Sequence, residues 1–448
     1  MGLRELDQKY GAQVPSKAQT PDREGALAPH PFGSGPAPRG QRPLWVPMAP
    51  STTRALPHRP TNVAFLSSFP PRQCGLATFT QDVRSAVDSA TNQQSAVIAM
   101  NDRAEGYDYG ESVALQIARN DLPSYVKAAR RVRSLHTSVE VVNIQHEYGL
   151  FGGEWGEYIL EFYDTVRLPV VTTLHSVIPS PDATLRQVTR AIAERSTRVV
   201  VLAKAAINIL THDYGIDPSR VQMIPHGVPT VAKPVMAHRL AKQNLGYSAR
   251  TVVSTFGLLS PNKGIEVALA ALPEIVRAHP EVLYLIIGQT HPGVRASSGE
   301  SYRDQLKGLV NDLGLGGHVA FVDRYLGLAD LMEYLLATDI YIVPYLNPNQ
   351  IVSGTLAYAL GSGKAVISTP FIHAQEVLAD GCGLLVPFCD SAAMTTALRT
   401  VLEEPEKRLA MEQQAYAISR NWIWPSVAAQ YQAVFQEAAR HELPTLKV

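Results

Sequence analysis

The sequence predicts an α/β protein built from two doubly wound domains that face each other across a cleft. Three observations lead there. From residue 61 onward, short β-branched runs that are apolar at nearly every position alternate with segments of helical period. The alternation pauses once, over the Pro-, Lys- and His-containing stretch 229–250, and then resumes. At 448 residues the chain is also too long for one ordinary core. Strands apolar on both faces and separated by helices form parallel sheets covered on both sides. Such sheets bind ligands at the carboxyl ends of their strands, so two of them in opposition put the site between them. The expected divisions are an extension over 1–60, a first domain over 61–235, a second over 236–420 and a terminal segment over 421–448.

The extension comes first. Residues 13–60 are dense in Pro, Ala, Ser, Gly and Arg, a composition that cannot bury enough apolar surface to offset its ordering entropy, so disorder is expected there. It has no apolar core of the kind a secretory signal needs; an Arg- and Ser-bearing transit peptide is the alternative, against which its Asp and Glu count. The first-domain strands read VAFLSSF, SAVIAM, VEVVNIQH, LPVVTTLH, TRVVVLA and RVQMIPHG, with helices expected over 78–88, 112–135, 156–163, 183–196 and 204–214. The second-domain strands read TVVSTFG, VLYLIIG, HVAFVDR, IYIVPYL, KAVIST and GLLVPF, again separated by helical segments. In the terminal segment Trp422, Trp424, Val427, Tyr431, Val434 and Phe435 fall on one helical stripe, which reads as a core helix packing back across the domain junction.

Basic and acidic residues both number 40, so no net charge points to nucleic acid or an anionic membrane as an obligate partner. No run reaches the roughly 18 apolar residues of a membrane span. The three cysteines, Cys74, Cys382 and Cys389, are too few and too scattered for a disulfide framework or a zinc cluster, and they fit a reduced, cytoplasmic setting.

The segment 344–363, PYLNPNQIVSGTLAYALGSG, carries the most chemistry. It reads as a buried strand, a polar loop and a helix opening at Ser353, Gly354 and Thr355. The unpaired N–H groups of such a first turn, backed by the positive end of the helix dipole, suit a phosphate; an ordinary strand–loop–helix crossover is the plain alternative. Gly75 opens the helix after the first strand, where a glycine lets backbone approach a ligand. His146 and His175 end strands of adjacent units; each can donate to a sugar hydroxyl or a phosphate oxygen, or be a satisfied structural group. Gly152 and Gly153, in GLFGGEWG, suggest backbone near a ligand or a mobile lid. His226, in IPHGV, reads equally as a turn residue. In the second half Lys263 of GLLSPNKG is a point charge placed for phosphate, or a solvated loop lysine. His291 and Arg303 follow later strand ends, where they reach an anionic or hydroxylated ligand or simply pair on the surface. Glu376 lies at the next strand–helix junction, where a carboxylate accepts from sugar hydroxyls. GxxxxGK[ST], HExxH and GxSxG motifs are absent, and no Cys/His pair has a nucleophilic context.

Taken together, the glycine turn at Gly75, the HS at His175, IPHGV, FGLLSPNKG, IIG, IVPYL, SGTLAYALGSGKAVIST, and Glu376 with Gly381 and Gly383 resemble the retaining glycosyltransferases of family 4 (glycosyl transferases group 1) over about residues 61–437. The resemblance implies the GT-B fold, two Rossmann-like domains facing an interdomain cleft, with the acceptor on the first and the donor on the second. It implies hexosyl transfer from a sugar-nucleotide or sugar-phosphate donor to a carbohydrate or other hydroxyl acceptor, with retained configuration, no metal and no cofactor. Three positions depart from the family pattern. Gln350 and Tyr358 stand where the family usually carries two glutamates eight positions apart. The first of those glutamates orients the donor sugar, work an amide shares in part. The second binds the ribose hydroxyls, which Tyr358 cannot do in the same bidentate way. Leu258 replaces a phosphate-binding arginine, while its lysine partner remains as Lys263.

The resemblance thus implies a catalytic set of His175, Lys263, Gln350 and Glu376. His175 helps hold the donor sugar, Gln350 and Glu376 bind its hydroxyls, and Lys263 stabilises the leaving phosphate together with Ser353, Gly354 and Thr355. Gly75 and Tyr358 complete the donor and phosphate set, and His146, Gly152, Gly153, His291 and Arg303 the acceptor and sugar side. With no obvious nucleophile, front-face attack by the acceptor hydroxyl is expected. The alternatives are a glycoside phosphorylase using orthophosphate or sugar 1-phosphate, which needs no ribose contact, a non-catalytic sugar-binding relative, and a sugar-nucleotide epimerase of the same fold.

Overall fold

The computed structural model describes residues 59–135, 138–232 and 234–440; all but the last two residues of the expected extension therefore lie outside the described residues. The first sheet is parallel and has the order β3-β2-β1-β4-β5-β6-β7, with β1 Val63–Ser67, β2 Ala96–Asn101, β3 Leu115–Ala118, β4 Val141–His146, β5 Val170–Leu174, β6 Arg198–Val201 and β7 Val221–Met223. The second, also parallel, runs β10-β9-β8-β11-β12-β13, with β8 Thr251–Phe256, β9 Val282–Ile287, β10 Val319–Val322, β11 Ile340–Val343, β12 Ala365–Ser368 and β13 Gly383–Leu385. Both are Rossmann-like. Each reverses direction beside its first strand, between β1 and β4 and between β8 and β11, and ligand crevices open at such switch points. The central strands β1, β2, β4, β5, β9, β11 and β12 are buried at every position, which is why most of them read as apolar runs; β4 and β5 also bury Asn143, Gln145, Thr172 and Thr173.

Two expectations change. The helix expected over 112–135 is an edge strand, β3, followed by a helix at Leu122–Arg131. At the sheet edge only Leu115 and Ile117 point inward while Gln116 is exposed, so this four-residue strand offers two apolar positions, too few to stand apart from the helix that follows it. The pause over 229–250 contains a helix, Pro234–Asn244, that packs through Ala237 and Ala241 against Leu335 and Leu336. Its small buried face is too narrow to show as a strong period.

The chain crosses between the sheets twice, side by side. Val228 N–H donates to Trp422 O at 2.9 Å and Trp424 N–H donates to Val228 O at 3.0 Å. Gly227 permits this crossing, since a Cβ there would lie 2.2 Å from the Trp424 ring. The final helix, Trp424–Arg440, then returns to the first sheet and packs on Phe65, Phe79, Val141 and Val171. Among the described residues no helix is long and apolar enough to cross a membrane.

Candidate functional site

The helix Gly354–Gly361 starts at the second sheet's switch point, after β11. Its first internal bond runs from Ala357 N–H to Ser353 O at 3.1 Å, so the preceding amides have no partner in the helix. Ser353 Oγ accepts from Leu356 N–H at 3.3 Å, and Ser353 N–H donates to His373 Nδ1 at 3.0 Å. The amides of Gly354 and Thr355 make no hydrogen bond among the described residues. Beside them, Lys263 Nζ stands 3.9 Å from the centre of the Tyr345 ring. The Tyr345 hydroxyl shares a hydrogen bond with Thr355 Oγ1 at 2.7 Å, and Thr355 Oγ1 meets Ser353 Oγ at 3.1 Å. Burial acts to raise the Tyr345 phenol; the adjoining Lys263 ammonium together with the Thr355 and Ser353 hydroxyls outweighs it and draws the phenol below its ordinary value. The loop carrying Lys263 is fixed by Leu346 N–H donating to Asn262 O at 3.0 Å and by Gly264, whose φ is +60° and whose added Cβ would fall 2.1 Å from Pro344 O. Open amides, two hydroxyls and an ammonium thus share one corner, a set that suits phosphate oxygens.

The first sheet closes on this corner. Ile351 and Val352, just before Ser353, pack against Leu174, Val177 and Ala203 at the ends of β5 and β6. Phe79 stands between two imidazoles, 4.7 Å from His175 and 4.9 Å from His226 by ring centres. His226 Nε2 lies 2.8 Å from where a Cβ of Gly354 would be, so the glycine is what lets that helix start come so close. Burial, with help from the neighbouring His226 and His146, drives His175 down to about 3. Burial likewise takes His226 to about 4 and, with His226 beside it, His373 to about 3. All three rings are neutral at pH 7, which leaves the anion-binding charge to Lys263 and the helix end.

Several expected site residues are engaged elsewhere. Both carboxylate oxygens of Glu376 are taken: Oε1 accepts from Lys204 N–H at 2.8 Å and Oε2 from Ala205 N–H at 2.9 Å, so it caps the first-domain helix Lys204–Tyr214 from the opposite domain. That helix has no side-chain cap of its own, and a carboxylate suits its positive end. Tyr358 is buried, and its hydroxyl donates to Asp82 Oδ2 at 2.9 Å, again across the domains. His146 is fully enclosed, stacked on Phe151 at 5.3 Å, and burial lowers it to about 3, so it is a core residue. Gly152 and Gly153 are glycines because Tyr158 and the Arg119 carbonyl fill the space a Cβ needs. Arg303 is 1 % exposed; its Nη2 donates to Gly288 O at 2.8 Å and pairs with Asp323 at 2.8 Å, bracing the turn after β9, while its buried Nη1 has no hydrogen-bond partner among the described residues. His291 is exposed and caps its own helix, with Nδ1 accepting from Gly293 N–H at 3.1 Å. Gln350 is half-buried, Nε2 donating to Val352 O at 3.0 Å. Gly75 is exposed at the first turn of its helix, beside two interdomain hydrogen bonds, Gln289 to Gln73 at 2.6 Å and Thr78 to Tyr325 at 2.9 Å.

Three partners escaped the sequence reading: His373, which takes the Ser353 amide; Asp82, which receives Tyr358; and Gln145, whose Oε1 lies 2.7 Å from His175 Nε2. For Gln145 the available signal was the polar Asn143, Gln145 and His146 within a strand of the sheet.

The Glu376 cap makes a prediction. Glu376→Ala should cost about 1 kcal/mol of stability, as lost caps do, and should raise the radius of gyration by small-angle scattering as the domains part. An unchanged radius and melting temperature would show the cap to be incidental.

Two family models match consecutive stretches of the chain: "Glycosyltransferase Family 4" over residues 98–231 and "Glycosyl transferases group 1" over residues 239–418. The chain belongs to this glycosyltransferase family. Among curated relatives, the glycosyltransferase is 25 % identical over 296 residues to the D-inositol 3-phosphate glycosyltransferase of Corynebacterium efficiens, covering 62 % of this chain and 68 % of that protein. It is 27 % identical over 277 residues to the phosphatidyl-myo-inositol mannosyltransferase of Mycolicibacterium smegmatis, covering 60 % and 65 %. Its fold matches Anabaena HepE solved with UDP and glucose (TM-score 0.66, 18 % identity, 84 % of this chain and 100 % of that one) and the sucrose-phosphate synthase of Thermosynechococcus elongatus (TM-score 0.67, 18 % identity, 84 % and 98 %). At that identity the likeness speaks for the GT-B architecture alone.

Proposed function

We propose that this glycosyltransferase moves a hexosyl group from a nucleoside diphosphate sugar to a hydroxyl acceptor with retention of configuration, by attack on the face the leaving phosphate vacates. The observation that carries this reading is the corner where the free Gly354 and Thr355 amides meet Lys263. Charge growing on a departing diphosphate is stabilised there by groups already in place, which is ordinarily the largest catalytic term. The donor belongs to the domain over 236–420 and the acceptor to the domain over 61–235, the terminal segment 421–448 serving the junction. His175 faces the sugar, and Gln350 lies within the loop that brings the phosphate corner to the ends of β5 and β6. Closure of the domains excludes water, which otherwise competes as acceptor. The relatives' names suggest acceptors of inositol type. No metal or cofactor enters this scheme. Three free cysteines fit a cytoplasmic enzyme.

One observation favours a second reading. Tyr358 spends its hydroxyl on Asp82, so the position to which the family resemblance assigns ribose binding is turned to interdomain contact. A phosphorylase using orthophosphate and a sugar 1-phosphate has no ribose to hold. A thermal-shift panel of nucleoside diphosphates, sugar nucleotides, orthophosphate and sugar 1-phosphates decides between them. Stabilisation by one nucleotide series is the expected result. Stabilisation by orthophosphate and sugar 1-phosphates, with none from nucleotides, replaces the transferase reading with the phosphorylase.

A further inference from the structure

The polar groups behind His175 form a chain that determines which of its nitrogens carries the proton. The chain starts at a group with no choice: the Val171 backbone carbonyl only accepts. Asn143 Nδ2 donates to it at 3.0 Å, which turns Asn143 Oδ1 toward Gln145. Gln145 therefore presents Nε2, which donates to Asn143 Oδ1 at 2.5 Å and has Thr173 Oγ1 as a further acceptor at 3.4 Å. Its Oε1 is left to face His175 Nε2 at 2.7 Å. An acceptor at that distance requires Nε2–H, and a neutral ring then keeps its lone pair on Nδ1. Asn143, Gln145 and Thr173 are all fully buried, so water does not reverse the order. His175 Nδ1 makes no hydrogen bond among the described residues and, unlike both nitrogens of His146, is not sealed from solvent.

We infer that Gln145 is a positioning residue for the transfer reaction, holding His175 as the neutral Nε2–H tautomer so that the ring meets its ligand through Nδ1 as a hydrogen-bond acceptor. The group it meets must then carry a hydrogen. That is a sugar hydroxyl and not an ionised phosphate oxygen, a narrower role than the sequence left open for His175. The ligand half of this inference rests on the transferase reading; the tautomer does not. The duties in the cleft separate accordingly: phosphate goes to Lys263 and the Gly354 and Thr355 amides, a hydroxyl to His175. The titratable groups around the ring are His146 and His226, both neutral, and Glu147, whose carboxylate is taken by Ser176 Oγ at 2.6 Å.

The test is a long-range proton–nitrogen correlation spectrum of protein labelled with nitrogen-15 histidine, taken from about pH 5 to about pH 8, with the His175 signals assigned by their loss in His175→Asn. The expected pattern is Nε2–H with no titration across that range. An Nδ1–H pattern, a mixture of tautomers, or a midpoint near about 6.5, the value of a free imidazole, overturns it. A second arm uses Gln145→Glu, which keeps an acceptor beside Nε2–H and adds a charge that favours the imidazolium. The ring of that variant should titrate inside the range. Its kcat, with the donor the thermal-shift panel selects, should fall on the acid side of the new midpoint because a protonated Nδ1 no longer accepts. A ring that titrates while kcat stays flat overturns the hydroxyl contact. An Nε2–H ring in a protein that turns over only sugar 1-phosphates overturns the nucleotide-sugar reading and supports the positioning role.

Discussion

Lys263→Ala is expected to lower kcat by about 100- to 1000-fold while leaving the fold intact, the size of loss seen when one preorganised group is taken from a site of developing charge. The ammonium has no carboxylate partner among the described residues; its contact is the Tyr345 ring at 3.9 Å. A cation over an aromatic face contributes about 0.5–1 kcal/mol at a half-exposed position, so the melting temperature should move by no more than about 2–4 °C. The three histidines nearby are neutral and add no positive charge, which leaves Lys263 as the cation beside the Gly354 and Thr355 amides. Steady-state kinetics with the donor identified by thermal shift, alongside a melting curve, measure both quantities. Turnover within twofold of the parent would remove Lys263 from the mechanism. A collapse of the melting temperature would make it a structural residue instead.

Asp82→Asn is expected to stabilise the protein above about pH 6, and the gain is large because the parent buries a charge there. Burial raises Asp82 from its ordinary 3.8 to about 6, against the opposing pull of the Tyr358 hydroxyl. Between those two values the folded chain holds a proton that the unfolded chain has released. Stability therefore falls as pH rises from about 4 to about 6 and is flat above, where the whole cost is present. The gap corresponds to at most about 3 kcal/mol. Asparagine keeps an oxygen to accept from Tyr358 and removes the charge. The variant should melt higher than the parent at about pH 8, and the parent's decline over about pH 4–6 should shrink. If the variant melts lower at about pH 8, the Asp82 carboxylate is stabilised by its surroundings and the desolvation argument fails. Because the Asp82–Tyr358 bond joins the two domains, the same melting curves report on their coupling.

Most of the fold was legible in the sequence because its causes are local. Twelve of the strands are short apolar runs bounded by polar or glycine residues, and the two halves declare themselves by the pause between them. β3 was missed for a physical reason: at a sheet edge one face meets solvent, and a four-residue strand with only Leu115 and Ile117 buried around an exposed Gln116 is too short to stand apart from the helix after it. The Ser353–Gly354–Thr355 helix start and the loop of Lys263 were visible too, since a glycine-rich turn after a strand is a property of neighbouring residues.

What the side chains do in the cleft was decided by tertiary structure. Glu376 reads as a sugar ligand until the helix at Lys204, 172 positions away, takes both its oxygens. Tyr358 reads as an altered ribose contact until Asp82, 276 positions away, receives its hydroxyl. His146 and His175 look alike as strand-end histidines, yet one is sealed in the core and the other has its proton placed by a chain running back to the Val171 carbonyl. Local pattern governs which residues are buried and in what element, because burial and backbone geometry depend on near neighbours. Hydrogen-bond partners across two sheets depend on how those sheets are set against each other, and no stretch of sequence contains both halves of that arrangement.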